Sequence, residues 1–102
     1  MRKITFHEEA DSEVYEAAIY YEDSAPELGL AFLDEIEKAS TLILANPMAY
    51  QSVGGEVRRA LVARFPYSIL YVIEPDDRIR VIAVAHQKRR PGYWRKRLQM
   101  GS

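Results

Sequence analysis

The sequence predicts an α+β domain in which an N-terminal helical hairpin packs on a small antiparallel sheet. Three observations lead there. Up to Asn46-Pro47 the apolar residues recur at helical spacing. Beyond Pro47 they gather into short runs rich in β-branched and aromatic residues, separated by Gly and Pro. One further strand-length run, Arg2–Phe6, precedes the helices. The expected order is β-α-α-β-β-β followed by a basic C-terminal tail. Residues 1–98 are expected to form one domain and residues 99–102 a short tail.

Each element has its own justification. In Arg2–Phe6, Ile4 and Phe6 share one face while Lys3 and Thr5 share the other. From Glu8 to Asp23, Val14, Ala17, Ala18 and Tyr21 fall on one helical stripe. Ser24-Ala25-Pro26-Glu27 reads as a helix start, with Ser24 as the cap and Glu27 three residues on to answer it. The second helix carries Leu28, Phe32, Ile36, Ala39 and Ile43 inward and stops at Asn46-Pro47. So short a connection makes the two helices antiparallel. Gly54-Gly55 is a turn, and Val57–Arg64, Tyr67–Glu74 and Ile79–His86 are strand-length runs joined by short links at Phe65-Pro66 and Pro75-Asp76-Asp77. The last two runs are apolar on both faces, as central strands are.

Composition narrows the function classes. The 102 residues include no cysteine, so disulfides and thiolate sites are excluded. No signal h-region is visible, and no apolar run approaches the ~20 residues that span a bilayer, so a cytoplasmic protein without membrane association is expected. The formal net charge of −1 conceals an asymmetry. Residues 1–55 hold three basic side chains against eleven acidic ones, a net of −8; residues 56–102 hold eleven against four, a net of +7. Such a split points to a polyanion or an acidic partner for the basic half, unless the halves neutralise each other within the fold.

The densest signal is His86–Arg97, with six Lys or Arg residues, no acid, one histidine and the adjacent Tyr93 and Trp94. Cations neutralise phosphates and flat rings stack on unpaired bases, so this composition suits RNA. Lys88, Arg89, Arg90 and Arg95 are the candidate contacts there, with Trp94 either a stacking platform or a core residue. Arg58 and Arg64 add to them if their strand lies beside the tail. A histidine at a strand end is a candidate acid or base, since imidazole titrates near pH 6.5. Metal-independent phosphodiester cleavage needs a base, an acid and cations for the developing charge, a set that His86, Arg59, Lys88 and Tyr93 are able to fill. His7 reads as local capping or surface, and Glu8, Glu9, Glu13 and Glu16 read as a solvated helix face. No Gly-rich phosphate loop, metal-ligand spacing or Ser-His-Asp arrangement occurs, so neither cofactor nor metal is expected.

Val57-Arg58-Arg59-Ala60-Leu61, Phe65-Pro66-Tyr67-Ser68-Ile69-Leu70-Tyr71, Ile82-Ala83-Val84-Ala85-His86 and Arg90-Pro91-Gly92-Tyr93-Trp94 together resemble the RelE/ParE superfamily of type II toxin–antitoxin (plasmid stabilisation) toxins. Gly29-Leu30-Ala31-Phe32-Leu33 in the second helix agrees, and the resemblance runs over about residues 2–97. It implies a growth-arresting toxin with a RelE/ParE-like fold. One branch cuts messenger RNA in the ribosomal A site, and the other inhibits DNA gyrase by protein contact. In the cutting branch an arginine follows the tyrosine that opens the middle strand, where this chain has Ser68. A later arginine falls near Gln87, and of two lysines on the preceding strand one position is Arg59 and the other Leu61. Tyr93 stands where that branch has its tyrosine. The resemblance therefore leans to gyrase inhibition. The alternatives are a ribosome-dependent mRNA endonuclease, with Arg59, His86 and Tyr93 as its catalytic set, and a non-catalytic RNA-binding module. It also implies a cognate antitoxin whose acidic or amphipathic C-terminal segment covers the basic face.

Overall fold

The computed structural model describes residues 2–99. Its elements are β1 (Ile4–Phe6), α1 (Glu8–Ser24), α2 (Leu28–Ala45), a 3-10 turn (Pro47–Ala49), β2 (Gln51–Gly54), β3 (Val57–Leu61), β4 (Tyr67–Ile73), β5 (Ile79–His86) and α3 (Arg95–Gln99). The α+β architecture is the one the sequence predicts, two helices on a five-stranded sheet. Past Gln99, the tail expected at 99–102 lies outside the described residues.

The sheet runs β1-β5-β4-β3-β2. Its one departure from antiparallel pairing is β1, which lies parallel to β5 with Ile4 opposite Ile79. Strand β2 was not expected. Its four residues are exposed or half-buried, so no apolar alternation marks it, and pairing with β3 alone makes it a strand. β3 is shorter than the expected Val57–Arg64, because Arg64 adopts φ 71° in the turn to β4. Alternation divides the central strands between two cores. Ile69, Tyr71, Val81 and Val84 meet Val14, Ala17, Phe32 and Ile43 of the helices. On the other face Val57, Leu70, Val72 and Ile82 meet Trp94.

The hairpin is joined differently from the expected capping box. Ser24 remains inside α1 and its hydroxyl donates back to the Tyr20 carbonyl. The free amides at the start of α2 are taken by Glu22, whose carboxylate accepts from Glu27 N and Gly29 N, both at 2.9 Å. Glu27 adopts φ 67° to allow this turn. His7 does cap α1, its Nδ1 accepting from Glu9 N at 3.0 Å, but it is buried rather than on the surface.

A candidate target-binding groove

Adjacent residues of a strand face opposite ways, and this separates the arginines of β3. Arg59 shares the Trp94 face. Arg58 turns to the helix side, where its Nη1 donates to the Tyr50 carbonyl at 2.6 Å and the Met48 carbonyl at 3.4 Å. It secures the chain entering β2 and is not presented with the others. Arg64 also lies apart, its guanidinium 3.7 Å from the buried Glu35 carboxylate and 5.7 Å from the Phe65 ring centroid. The strand geometry therefore places Arg58 and Arg64 away from the other expected contacts.

Arg59, Arg89, Arg90 and Arg95 do come together. They line a groove of about 400 Å³ on the Trp94 face, with Leu61, Leu70 and Ala85 among its apolar walls. No carboxylate lines it, and among the described residues none of these four guanidinium groups is in an ion pair. The acidic half of the chain thus leaves this cluster unneutralised. Gly92 makes the groove's far wall possible: φ is 78°, and a Cβ there would collide with the Arg95 side chain. Lys88 is exposed just outside the groove. Trp94 is 6% exposed and packed on the sheet, so its ring floors the groove and offers no face for stacking.

What reads in sequence as a basic tail is a folded segment, and Glu13 fastens it. This side chain, expected in solvent, is largely buried. Its Oε1 accepts from Val84 N at 2.9 Å and Arg97 Nη1 at 3.0 Å, and its Oε2 accepts from Tyr93 Oη at 2.6 Å and Arg97 Nη2 at 3.1 Å. Arg97 Nη1 also donates to the Ile82 carbonyl at 2.9 Å. Glu8, Glu9 and Glu16 are exposed, as expected. The signal available in the sequence was position: Glu13 flanks the buried stripe, three residues after Ala10 and four before Ala17.

The three expected catalytic residues fare differently. Arg59 and His86 both border the groove. His86 Nδ1 accepts from Lys88 N at 3.0 Å, which leaves Nε2 to carry the ring proton, and the ring meets Tyr67 edge-on at 5.1 Å. Tyr93 borders the groove too, but its hydroxyl is engaged by Glu13. The guanidinium carbons of Arg89 and Arg97 lie 3.8 and 5.1 Å from its ring centroid. Burial first, and the Glu13 carboxylate second, push the phenol pKa far above its ordinary value of 10.0. Tyr93 is held as a neutral donor. The groove thus presents cations and apolar walls, with its tyrosine hydroxyl already occupied.

Residues 4–91 match the family model described as ParE toxin of type II toxin-antitoxin system, parDE. Two solved structures are similar in fold. A chain of the chromosomal ParDE TA system from P. aeruginosa superposes with a TM-score of 0.73 at 19% identity, over 84% of this chain and 96% of that one. The isolated E. coli RelE toxin superposes with a TM-score of 0.64 at 17% identity, over 98% and 99%. No curated protein matches the sequence.

Proposed function

Because the chain belongs to the ParE toxin family of type II toxin–antitoxin systems, we propose that it arrests growth by inhibiting DNA gyrase through protein contact, with the guanidinium groove as the contact surface. One observation carries the reading: the groove concentrates Arg59, Arg89, Arg90 and Arg95 while its tyrosine hydroxyl is bound to Glu13. Cutting a phosphodiester requires groups free to take and give protons. Here Tyr93 is locked as a donor to Glu13. Ser68, Leu61 and Gln87 add no cation where the cutting branch carries them. What the groove retains is an electrostatic and apolar docking surface, sufficient for binding a protein.

Family membership implies an antitoxin partner. Unpaired arginines beside apolar walls favour an acidic, amphipathic antitoxin segment lying in this same groove, which blocks the target by occupying its place. The ribosome-directed reading keeps one observation in its favour, namely that Arg59 and His86 border one groove.

Induced expression with separate pulse-labelling of DNA, RNA and protein distinguishes the two. Gyrase inhibition predicts that DNA synthesis fails first and that gyrase-linked DNA breaks accumulate. Arg89→Glu with Arg90→Glu should relieve the arrest, whereas His86→Ala should not. Early failure of protein synthesis, with cut messages and rescue by His86→Ala, transfers the function to RNA cleavage.

A further inference from the structure

The face of α1 turned away from the sheet carries a pattern that the domain does not use. Tyr15 and Ile19, four residues apart, lie one turn apart on it, 66% and 58% exposed. Asp11 stands one turn before Tyr15, Asp23 stands one turn after Ile19, and Glu16 adjoins Tyr15. These three carboxylates are exposed, and among the described residues none is in an ion pair. The buried Ala10, Val14, Ala17 and Ala18 direct the opposite side of the helix into the core. The outer side of α1 is thus an acidic, amphipathic helix surface that nothing covers among the described residues.

That is the chemistry the guanidinium groove suits. Leu61, 65% exposed, stands there among Arg59, Arg89, Arg90 and Arg95, as Tyr15 and Ile19 stand among carboxylates on α1. Within one molecule the two surfaces do not meet, because α1 packs on one side of the sheet and the groove opens on the Trp94 side. Between two copies they are free to meet. Pairing either surface with its own duplicate would set like charges together, so the favourable contact joins unlike faces.

We propose that the free toxin associates head to tail, with the outer face of α1 of one copy seated in the guanidinium groove of the next. The protein then covers its own contact surface until a target or an antitoxin displaces the neighbouring copy. The proposal rests on the reading of the groove as a seat for an acidic, amphipathic segment. Because the contact is heterologous, copies add successively and the mean mass rises with concentration.

Sedimentation velocity on the full chain tests it, with two variants that each lose one side of the contact. At about 0.05 M salt the wild type should sediment above the monomer, increasingly so with concentration, and at about 0.5 M it should return to the monomer. Tyr15→Ser with Ile19→Ser removes the apolar stripe, and Arg89→Glu with Arg90→Glu removes the seat. Each variant alone should associate about tenfold more weakly or less than that. Mixed in equal amounts, the two should form a dimer and nothing larger, since they retain one intact face and one intact groove between them. That dimer would also show both variants to be folded. Excess capped hexaglutamate should dissociate the wild-type assembly while shifting the Arg59 and Arg89 side-chain NMR signals. Suppose hexaglutamate shifts those signals but the wild type stays monomeric at low salt, the variants associate as it does, or the mixture does not pair. The head-to-tail contact is then overturned while the groove reading stands. If hexaglutamate leaves Arg59 and Arg89 unshifted, the groove reading fails, and the contact fails with it.

Discussion

At the scale of single residues, two buried polar groups control the molecule. Glu13 satisfies an amide of β5, a phenol and an arginine simultaneously, and its partner Arg97 is more enclosed still. Removing one member of such a pair leaves the other charge uncompensated. Glu13→Ala should therefore cost about 3 kcal/mol in urea unfolding, well beyond the loss from Glu16→Ala on the exposed face. Tyr71 is the second. Its hydroxyl donates to the Pro47 carbonyl at 2.6 Å, and burial pushes its pKa up to about 12 from 10.0. An unfolded tyrosine loses its proton near pH 10, while folded Tyr71 retains it. Its contribution is thus fully present below pH ~10 and lost as pH rises towards ~12. Thermal melts across that range should show the decline, and Tyr71→Phe should lessen it, leaving the share that Tyr93 contributes, at a cost of about 1 kcal/mol near neutrality, because the Pro47 carbonyl loses its donor.

At the scale of elements, the hairpin depends on how closely α1 and α2 approach. A Cβ on Gly29 would lie 2.5 Å from the Ala18 carbonyl oxygen, which is backbone and unable to swing aside. Gly29→Ala should destabilise the domain by about 1–3 kcal/mol, despite alanine's better helix propensity, and calorimetry would register the lowered melting temperature. The sequence made α1, α2, β4 and β5 legible because each carries its own apolar period. It did not reveal β2, whose identity comes from a neighbouring strand, nor the Glu22 cap, where a carboxylate from one helix serves the next. Composition singled out Arg89, Arg90 and Arg95, and they line one groove because cations clustered in sequence stay together in a short folded segment. Arg58 and Arg64 lie away from them, and Trp94 takes the core alternative of its two readings, for a shared reason, since which side of the sheet a side chain faces depends on register and turn geometry. Glu13 escaped notice because its partners lie 71 to 84 residues away.

At the scale of the whole molecule, the acidic and basic halves stay apart where the groove is concerned. An acidic ligand should therefore bind with strong salt dependence. Raising ionic strength from about 0.05 to about 0.5 M should weaken hexaglutamate by at least ~tenfold, measured by titration, and Arg89→Glu with Arg90→Glu should abolish most of that dependence. The pairing of β1 with β5 carries a consequence for biosynthesis. Ile4 waits for Ile79, and Glu13 waits for Val84, Tyr93 and Arg97, so the first is unpaired until residue 79 has left the ribosome and the second until residue 97 has. Arg89, Arg90 and Arg95 of the groove also follow every strand of the sheet in the chain. On the proposed reading of the groove, a growing chain therefore lacks its contact surface until the segment through Arg97 has emerged and closed onto Glu13.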